Sequence, residues 1–556
     1  MRNMDRPIGS LRRLLTVSKK SDMPDVSRSH NSSQRNNPFR RRDYTLVFGL
    51  ALFIRLLAAL PQTQPNYMDA SYYLVGGQRL ALGYGFNDPY VWNYLDHPQS
   101  LPQPSHLYWM PLPSLLVAAS ESIFGVNYRA AQIPFVLLAA VLPVIAYAVA
   151  WRVSGVRRHA WLAALLTIFS AFYLPYWGVP ESFAPFAVFG AVALYWACAA
   201  SKWKWLAAGA CAGLAHLSRA DGLLLLLPML LIQVRLHDPN GRRKIFILYP
   251  SSFILIFTGY LVIMLPWFAR NLSVIGAPLS TAGSQTIWMC NYDELFAYGQ
   301  QFDLAHLLGC GNVLAIRWNG ITSGLVHWSA EVGLIFLALL IVIGLWRERR
   351  ARLFQAALLY AGLLFTAMTL IFTFAGDRGG LFHSSGALLP FAYAAVPIGL
   401  ETLIGWISQR RRTWKASTAR SVFSAALVVF AVALSVSIYH GRVIGPDWNN
   451  PIWNQSDRVY ATIGQWLTDR GEINPIVLVN NPPGFTYQTG LQSIVVPNGD
   501  VDDLLKAARQ FGAQWVVLDV NRPAGLAELY ANPASDPRFG PAVLIDGAQV
   551  LQIIAP

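Results

Sequence analysis

The sequence predicts a mainly α, polytopic membrane helical bundle of about eleven transmembrane helices, with juxtamembrane helices in the first outer loop and a small C-terminal α/β extracytoplasmic domain. Three observations carry that expectation. Of 556 residues, 54% are hydrophobic, 13% are charged and 19 are Trp, whereas a soluble domain carries about 25% charged residues. The apolar residues gather into runs close to the roughly 20 residues that a helix needs to cross a bilayer. After Tyr439 those runs end, and short β-branched segments alternate with helical ones.

Met1 to Arg42 is rich in Ser, Asn and Arg and lacks an apolar signal-peptide core, so residues 1–42 read as a disordered basic cytoplasmic tail. Residues 43–440 read as the transmembrane domain. Its spans are expected at Tyr44 to Leu60, Arg129 to Ala150, Ala160 to Gly178, Phe183 to Ala200, Trp205 to Leu217, Gly222 to Val234, Ile245 to Trp267, Val332 to Trp346, Leu353 to Phe374, Ala387 to Trp406 and Val422 to Tyr439. With the N-terminus inside, the basic loops at Arg152/Arg157/Arg158, Lys202/Lys204, Arg235/Arg242/Arg243/Lys244, Arg347/Arg349/Arg350/Arg352 and Arg410/Arg411/Arg412/Lys415 all fall on one side. The net charge of +14 is therefore an orientation signal and implies no nucleic acid partner.

The same rule decides one doubtful segment. A span at Leu112 to Phe124 would invert every later basic loop, and at about 13 residues it is short for a bilayer. It is placed along the outer interface instead. The short spans around Ser218 to Asp221 admit a broken or re-entrant pair lining a cavity.

The outer loops are then Pro61 to Tyr128, Val179 to Ser182, Ser218 to Asp221, Phe268 to Glu331, Ala375 to Gly386, and residues 441–556. Cys290 and Cys310 share the fourth, on the oxidising side, where a disulfide is plausible; Cys198 and Cys211 read as packing residues. In the last region a Pro/Asn/Trp linker precedes a helix at Asp457 to Arg470, strands in PIVLVN and SIVVP, a helix at Asp500 to Phe511, and strands in WVVLD, AVLID and VLQII. Asp500, Asp502 and Asp503 resemble a metal-binding DxD, but a helix N-cap with an acidic first turn explains them better.

Ionisable groups at membrane depth are costly and often functional, so their gathering on the outer face is informative. Asp69 stands just past the first span at the head of an amphipathic stretch. It is either the N-cap of that helix or a general base for an acceptor hydroxyl or amine. Glu181, in GVPES, is a first-turn acid for the next span or a partner of Asp69 in acceptor or metal binding. Arg219 either pairs with Asp221 or grips a phosphate with its guanidinium fork. Arg378 and His383, in AGDRGGLFHSSG, have the make-up of an anion site, with glycines that let backbone N–H groups approach; the bland alternatives are turn glycines and a snorkelling Arg378. Arg55, inside the first span, is expected to snorkel outward, with a phosphate-binding role as the weaker alternative. Trp288, Tyr292, Asp293 and Glu294 form a loop suited to covering a sugar or to anchoring at the interface.

The helix ASYYLVGGQRLALGYGF after Asp69, the loop ending LYWMPLPSLL and the stretch FGVNYRAAQIPFVL resemble the N-terminal region of the GT-C glycosyltransferase superfamily. The nearest group is that of protein O-mannosyltransferases and lipid A aminoarabinose transferases in its bacterial branch. HLSRADGLL, MLPWFARNLSVIGAPL, IWMCNYDELFAY and DRGGLFHSSGALLPF continue the likeness, which covers about residues 44–405. The resemblance implies an integral-membrane enzyme that moves a sugar from a polyprenyl-phosphate donor to a lipid, glycan or protein acceptor outside the cytoplasm, with inversion. It implies Asp69 as base, Glu181 as second acid, and Arg219, Arg378 and His383 near the donor phosphate. Ala70 stands where the family often has Glu, and Met110-Pro111-Leu112-Pro113 where it has Lys-Pro-Pro-Leu, which leaves open whether a divalent metal binds at Asp69 and Glu181. A transporter or flippase of a lipid-linked sugar is the alternative, but no inverted hydropathy repeat is visible and the charges gather on one face. A membrane-anchored binding module would not need so many spans.

Overall fold

The computed structural model describes residues 38–237, 245–247, 250–411 and 413–554; the expected tail up to residue 37, and Arg242, Arg243, Lys244 and Arg412 of the basic loops, lie outside them. Two units are distinguished, 1–46 and 47–556. In the first, the described part opens helix α1 (Pro38–Ala59), where Pro38 costs no hydrogen bond because the first-turn N–H groups have no helical partner. Everything below concerns the second.

The first outer loop holds α2 (Met68–Ala81), a two-residue strand β1 (Tyr90–Val91) and α3 (Leu112–Phe124). α3 is the 13-residue helix expected along the interface. It packs on α2 through Gly77, where any Cβ would collide with Val117 and lie 2.8 Å from Ser114 O. The bundle continues with α4 (Tyr128–Ser154), α5 (Arg157–Ile168), α6 (Phe183–Ala197), α7 (Lys202–Ser218) and α8 (Pro250–Ile275). Gly209 of α7 and Gly259 of α8 have no room for a Cβ, because each faces backbone of the other helix at Ile256 and Leu206. Between lipid-embedded helices apolar surface alone gives little driving force, so close backbone approach supplies the packing. The same device joins α10 (Ala338–Arg347) to α12 (Leu389–Arg410) at Gly344 and Gly399, the two flanking α11 (Arg352–Thr366) in sequence.

Among the described residues five helical stretches are long and apolar enough to cross a membrane: Tyr128–Ser154, Pro250–Ile275, Arg352–Ile371, Thr373–Arg410 and Ala416–Ile444. The last contains α13 (Ala416–Tyr439). The chain is a multi-pass membrane protein, and the expected count of about eleven full spans is not met by helices of that length. Three differences account for much of this. The expected span Gly222 to Val234 is a 3-10 turn, Ala220–Leu225, followed by the short helix Leu226–Leu231, which is the broken form. The expected span Val332 to Trp346 is cut at Leu334 and Ile335, both at positive φ, which leaves the 10-residue α10. Ahead of it, α9 (Val313–Glu331) occupies part of what reads as loop, its polar residues hiding a 19-residue helix.

The last difference concerns the site. Ala375 to Gly386 is a kink between helices rather than an open loop: the backbone leaves helical geometry at Arg378 and Gly379, and Leu381–Ser385 then leads into α12. Gly379, at φ 111, supplies the left-handed kink that an L side chain would resist.

The C-terminal region contains α14 (Arg458–Asp469), β2 (Val477–Val479), α15 (Pro482–Thr489), β3 (Ser493–Val495), α16 (Val501–Phe511), β4 (Trp515–Leu518), β5 (Val543–Ile545) and β6 (Ala548–Gln552). Its six-stranded sheet runs β1-β3-β2-β4-β6-β5. The first four strands are parallel and β6 pairs antiparallel with both β4 and β5. The edge strand β1 comes from the first outer loop, so this layer grips the loop. Tyr94 donates to Val495 O at 2.6 Å, and Asn498 N–H donates to Phe296 O at 2.9 Å. Asp500 is the N-cap of α16, accepting from Asp503 N at 3.1 Å, while Asp502 pairs with Arg538 and Asp503 with Lys506. Each carboxylate has its own partner, as capping chemistry requires.

Candidate functional site

α2 begins at Tyr67, whose extended backbone makes it the N-cap without a side-chain capping bond. Asp69 is therefore in the first turn and does not cap the helix, which corrects the capping alternative. Its carboxylate lines a cavity of about 380 Å³. The N-terminal end of a helix favours negative charge at that position.

Glu181 lies on the turn before α6, 1% exposed. It accepts the Ser182 hydroxyl at 2.7 Å and the Phe183 N–H at 3.3 Å, so it does serve the start of α6. The same Oε1 meets His383 Nδ1 at 3.2 Å, and Ser182 Oγ lies 3.0 Å from that nitrogen. The His383 ring is stacked on Phe183 at 3.8 Å between centroids, which fixes its plane. Asp69, Glu181 and His383 present oxygen and nitrogen atoms within 4.8 Å of one another.

Arg219 ends α7 in an extended conformation. Gly222 follows closely, and a Cβ there would stand 2.5 Å from His216 N, so the 3-10 turn can fold back against α7 only with glycine at that place. Arg219 Nε donates to Asp221 Oδ1 and to Ser384 Oγ, each at 3.1 Å, and a terminal nitrogen reaches Ser182 Oγ at 3.5 Å. Ser384 in turn donates to Asp221. The pairing with Asp221 and the presence in the cavity thus coexist: the inner edge of the guanidinium is held, while both residues line the cavity wall.

Arg378, at the kink, lies over the Tyr292 ring at 4.9 Å, and both line the cavity. Of the expected substrate loop, Tyr292 alone faces this space. Asp293 is exposed. Glu294 accepts from Cys290 N at 2.7 Å, and its carboxylate meets His306 at 3.1 Å, so it latches its own loop. Cys290 and Cys310 form the disulfide that closes this loop. Arg55 does not snorkel: it is buried, donates to Ile168 O and Thr167 O at 2.9 and 3.1 Å, and covers Trp177 at 5.5 Å. The end of α5 offers carbonyls with no helical partner, and Arg55 satisfies them.

The electrostatics divide the two acids. Burial, then the neighbouring Glu181 charge, pushes Asp69 up to about 6, against the opposing pull of His383 and Arg219. Burial also works to raise Glu181, but the His383 charge and the hydrogen bonds from His383 and Ser182 outweigh it and hold Glu181 below its usual range. One acid is thus a fixed anion and the other a carboxylate of increased basicity, a division typical of proton-transfer sites.

The remaining wall was not singled out from sequence. Tyr73, Trp92, His106, Tyr108, Trp109 and Trp267 line the cavity; the signal for the first five was the aromatic density of the first outer loop, and Trp267, at the end of an expected span, had none. Ser182 and Ser384 had a better one, each standing next to a residue already chosen.

A sequence family described as dolichyl-phosphate-mannose-protein mannosyltransferase matches residues 96–269. Among solved structures, ArnT from Cupriavidus metallidurans bound to undecaprenyl phosphate is similar at 14% identity and TM-score 0.54, covering 91% of this chain and 97% of that one. The same protein in its apo state gives 13% identity and TM-score 0.51, covering 92% and 98%. The archaeal oligosaccharyltransferase AglB from Archaeoglobus fulgidus, in complex with an inhibitory peptide and a dolichol-phosphate, aligns at 12% identity and TM-score 0.48, covering 91% of this chain and 73% of that one. No curated protein matches the sequence. The family match covers less than half of the chain, and the likeness to ArnT is one of fold; both lie in the direction of the resemblance read from the sequence.

Proposed function

We propose that the chain is a membrane glycosyltransferase of GT-C type, which transfers a sugar from a polyprenyl-phosphate donor to an acceptor on the outer face of the membrane, inverting the anomeric carbon with Asp69 as base. The observation that carries this reading is the convergence of Asp69, His383 and Arg219 on one cavity wall, with Glu181 buried behind it against His383. The basic clusters on alternate loops give the matching orientation, with the N-terminus cytoplasmic and residues 441–556 extracytoplasmic.

In the reaction the acceptor O–H proton passes to the Asp69 carboxylate as the acceptor oxygen bonds to C1 of the sugar. The bond from C1 to the phosphate oxygen breaks on the opposite face, and polyprenyl phosphate leaves with the electron pair. The base must face away from the leaving group, which is why the product is inverted. The leaving phosphate needs charge stabilisation, supplied by the free edge of Arg219 and by Arg378. Glu181 holds the His383 ring in place beside this site through its contact with Nδ1. The isoprenoid tail is accommodated along Leu223, Leu224, Met368 and Phe372 of the same cavity, where broken helix and π-turn leave an apolar groove.

The ligand atoms of Asp69, Glu181 and His383 also suit a divalent cation, with two carboxylates and one imidazole. Bound there it would neutralise charge on the donor phosphate. Orientation of Glu181 by Ser182 and the Phe183 N–H fits such a role.

The test is transfer by the purified full chain in lipid nanodiscs, supplied with a panel of undecaprenyl-phosphate sugars. Release of undecaprenyl phosphate in the wild type and its loss in Asp69→Asn support the reading. Equal release by both would remove Asp69 from the chemistry.

A further inference from the structure

An acid stands in the wall that is to receive a phosphate. Asp221 lines the cavity beside Arg219, and the two side chains are 10% and 17% exposed. Asp221 Oδ1 accepts from Arg219 Nε at 3.1 Å. Its Oδ2 accepts from Ser384 Oγ, and that hydroxyl in turn accepts from the same Nε at 3.1 Å. Both carboxylate oxygens are therefore engaged. The arrangement is encoded locally: Arg219 and Asp221 flank one residue where α7 gives way to the 3-10 turn Ala220–Leu225, and Gly222, with no room for a Cβ against His216, lets that turn fold back on α7.

Anchoring Arg219 does not by itself require this acid. Ser384 holds Nε without a charge, and Ser182 Oγ stands 3.5 Å from a terminal nitrogen. A carboxylate attracts Arg219, but it also repels any phosphate bound there, and in a partly buried site that repulsion is only weakly damped. The lining arginines are matched accordingly: Arg219 and Arg378 stand with Asp69 and Asp221, and Glu181 lies behind against His383. The side chains of this wall give no surplus of positive charge over carboxylates.

The charge that the site must handle changes during the reaction. A polyprenyl-phosphate sugar is a phosphodiester with a single negative charge, whereas the polyprenyl phosphate that leaves is a monoester, carrying about −1.5 to −2 near pH 7. Two uncompensated arginines would grip that product harder than the donor, and turnover would then wait on its release. Repulsion from Asp221 grows with the charge of the ligand, so it bears more heavily on the product.

Resting on the transferase reading above, we propose that Asp221 sets the preference between the two phosphates: it holds Arg219 by Nε and, as a counter-charge beside the guanidinium, keeps the leaving polyprenyl phosphate from binding more tightly than the donor. Asp221 acts through Arg219 and through its own field, and is a positioning residue.

The test compares the wild type with Asp221→Asn, as full chains in nanodiscs, for binding of undecaprenyl phosphate and of its methyl diester. Asparagine keeps an acceptor for Arg219 Nε and removes the charge. The wild type should bind the two probes with similar affinity. In Asp221→Asn the monoester should bind roughly tenfold tighter or more, and the diester should gain by a smaller factor. In transfer from undecaprenyl-phosphate sugars the variant should complete a first turnover near the wild-type rate and then slow, with kcat and KM both lowered and added undecaprenyl phosphate a stronger inhibitor. A merely structural loss moves these readings the other way. Ser384→Ala, which loosens the same nitrogen without changing charge, should raise KM and weaken both probes.

Unchanged or weaker binding of undecaprenyl phosphate in Asp221→Asn overturns the proposal, as does a wild type that prefers the monoester by roughly tenfold or more. If the wild type transfers no sugar, the transferase reading fails while the binding comparisons still decide the role of Asp221. If the unfolding midpoint shows that Asp221→Asn has lost its fold, the wild-type comparison of the two probes decides alone.

Discussion

Asp69→Asn should separate catalysis from stability, and in opposite directions. Burial and the Glu181 charge hold this carboxyl at about 6, against an ordinary 3.8. At about 1.36 kcal/mol per unit, keeping it ionised in the fold costs about 3 kcal/mol. The sign follows from linkage: a carboxyl raised on folding contributes stability below its unfolded value and loses that contribution as pH rises through about 6. At pH 7.5 the wild type therefore carries the cost, and asparagine removes it together with the repulsion from Glu181. The variant should unfold at the same temperature as the wild type or higher. Its transfer rate should fall by roughly 10²–10⁴, the usual worth of a positioned base. Thermal unfolding and single-turnover transfer in the same nanodisc preparation measure both. A variant that loses rate and stability together would refute the reasoning, because Asp69 would then be a structural anion. So would one that keeps its rate.

The pH profile of kcat/KM should fall on the acid side through about 6, where Asp69 takes up its proton, while Glu181, held lower, adds no limb of its own in that range; a profile flat from pH 5 to 8 contradicts this. Arg219→Lys keeps the charge but loses the fork whose Nε edge is tied to Asp221 and Ser384, so donor KM should rise roughly tenfold or more, measured with acceptor in excess. Replacing Cys290 and Cys310 by Ser opens a loop whose ends are 20 residues apart, removing about 3 kcal/mol of constraint; hydrogen exchange should rise across 290–310 and donor turnover should drop as Tyr292 loosens over Arg378. Tyr90→Pro removes a backbone donor from the strand that joins the first outer loop to β3, and activity should fall although the residue lies outside the acids' cluster, read against unchanged folding of the transmembrane bundle by circular dichroism.

How much of this was legible depends on what local sequence can encode. Asp69, Glu181, Arg219 and His383 stood out because charge next to an apolar run is conspicuous, and the fold brings them into one cluster, with Glu181 behind the cavity wall. The cysteine pair was readable from its loop and compartment. The segment around Gly376 and Ser384 was not readable as helix, because glycine and serine favour turns in water yet tolerate a helix enclosed by other helices. α9 was hidden by Arg317, Asn319, Thr322 and His327, whose polarity suggested loop although a helix can carry them on an exposed face. Ala220–Leu231 looked like a span because hydropathy measures composition and not continuity of hydrogen bonding. β1 is two residues long and pairs with a strand some four hundred positions later, a register that no local pattern announces.

The central claim is that a sugar leaves polyprenyl phosphate by a single displacement with Asp69 behind it. The most direct measurement uses a donor of defined anomeric configuration, with NMR of the first product formed by the purified full chain and simultaneous quantitation of the released polyprenyl phosphate. The account predicts one released phosphate per sugar transferred and a product of the opposite configuration. A product of retained configuration, or transfer of the sugar with its phosphate still attached, would contradict it.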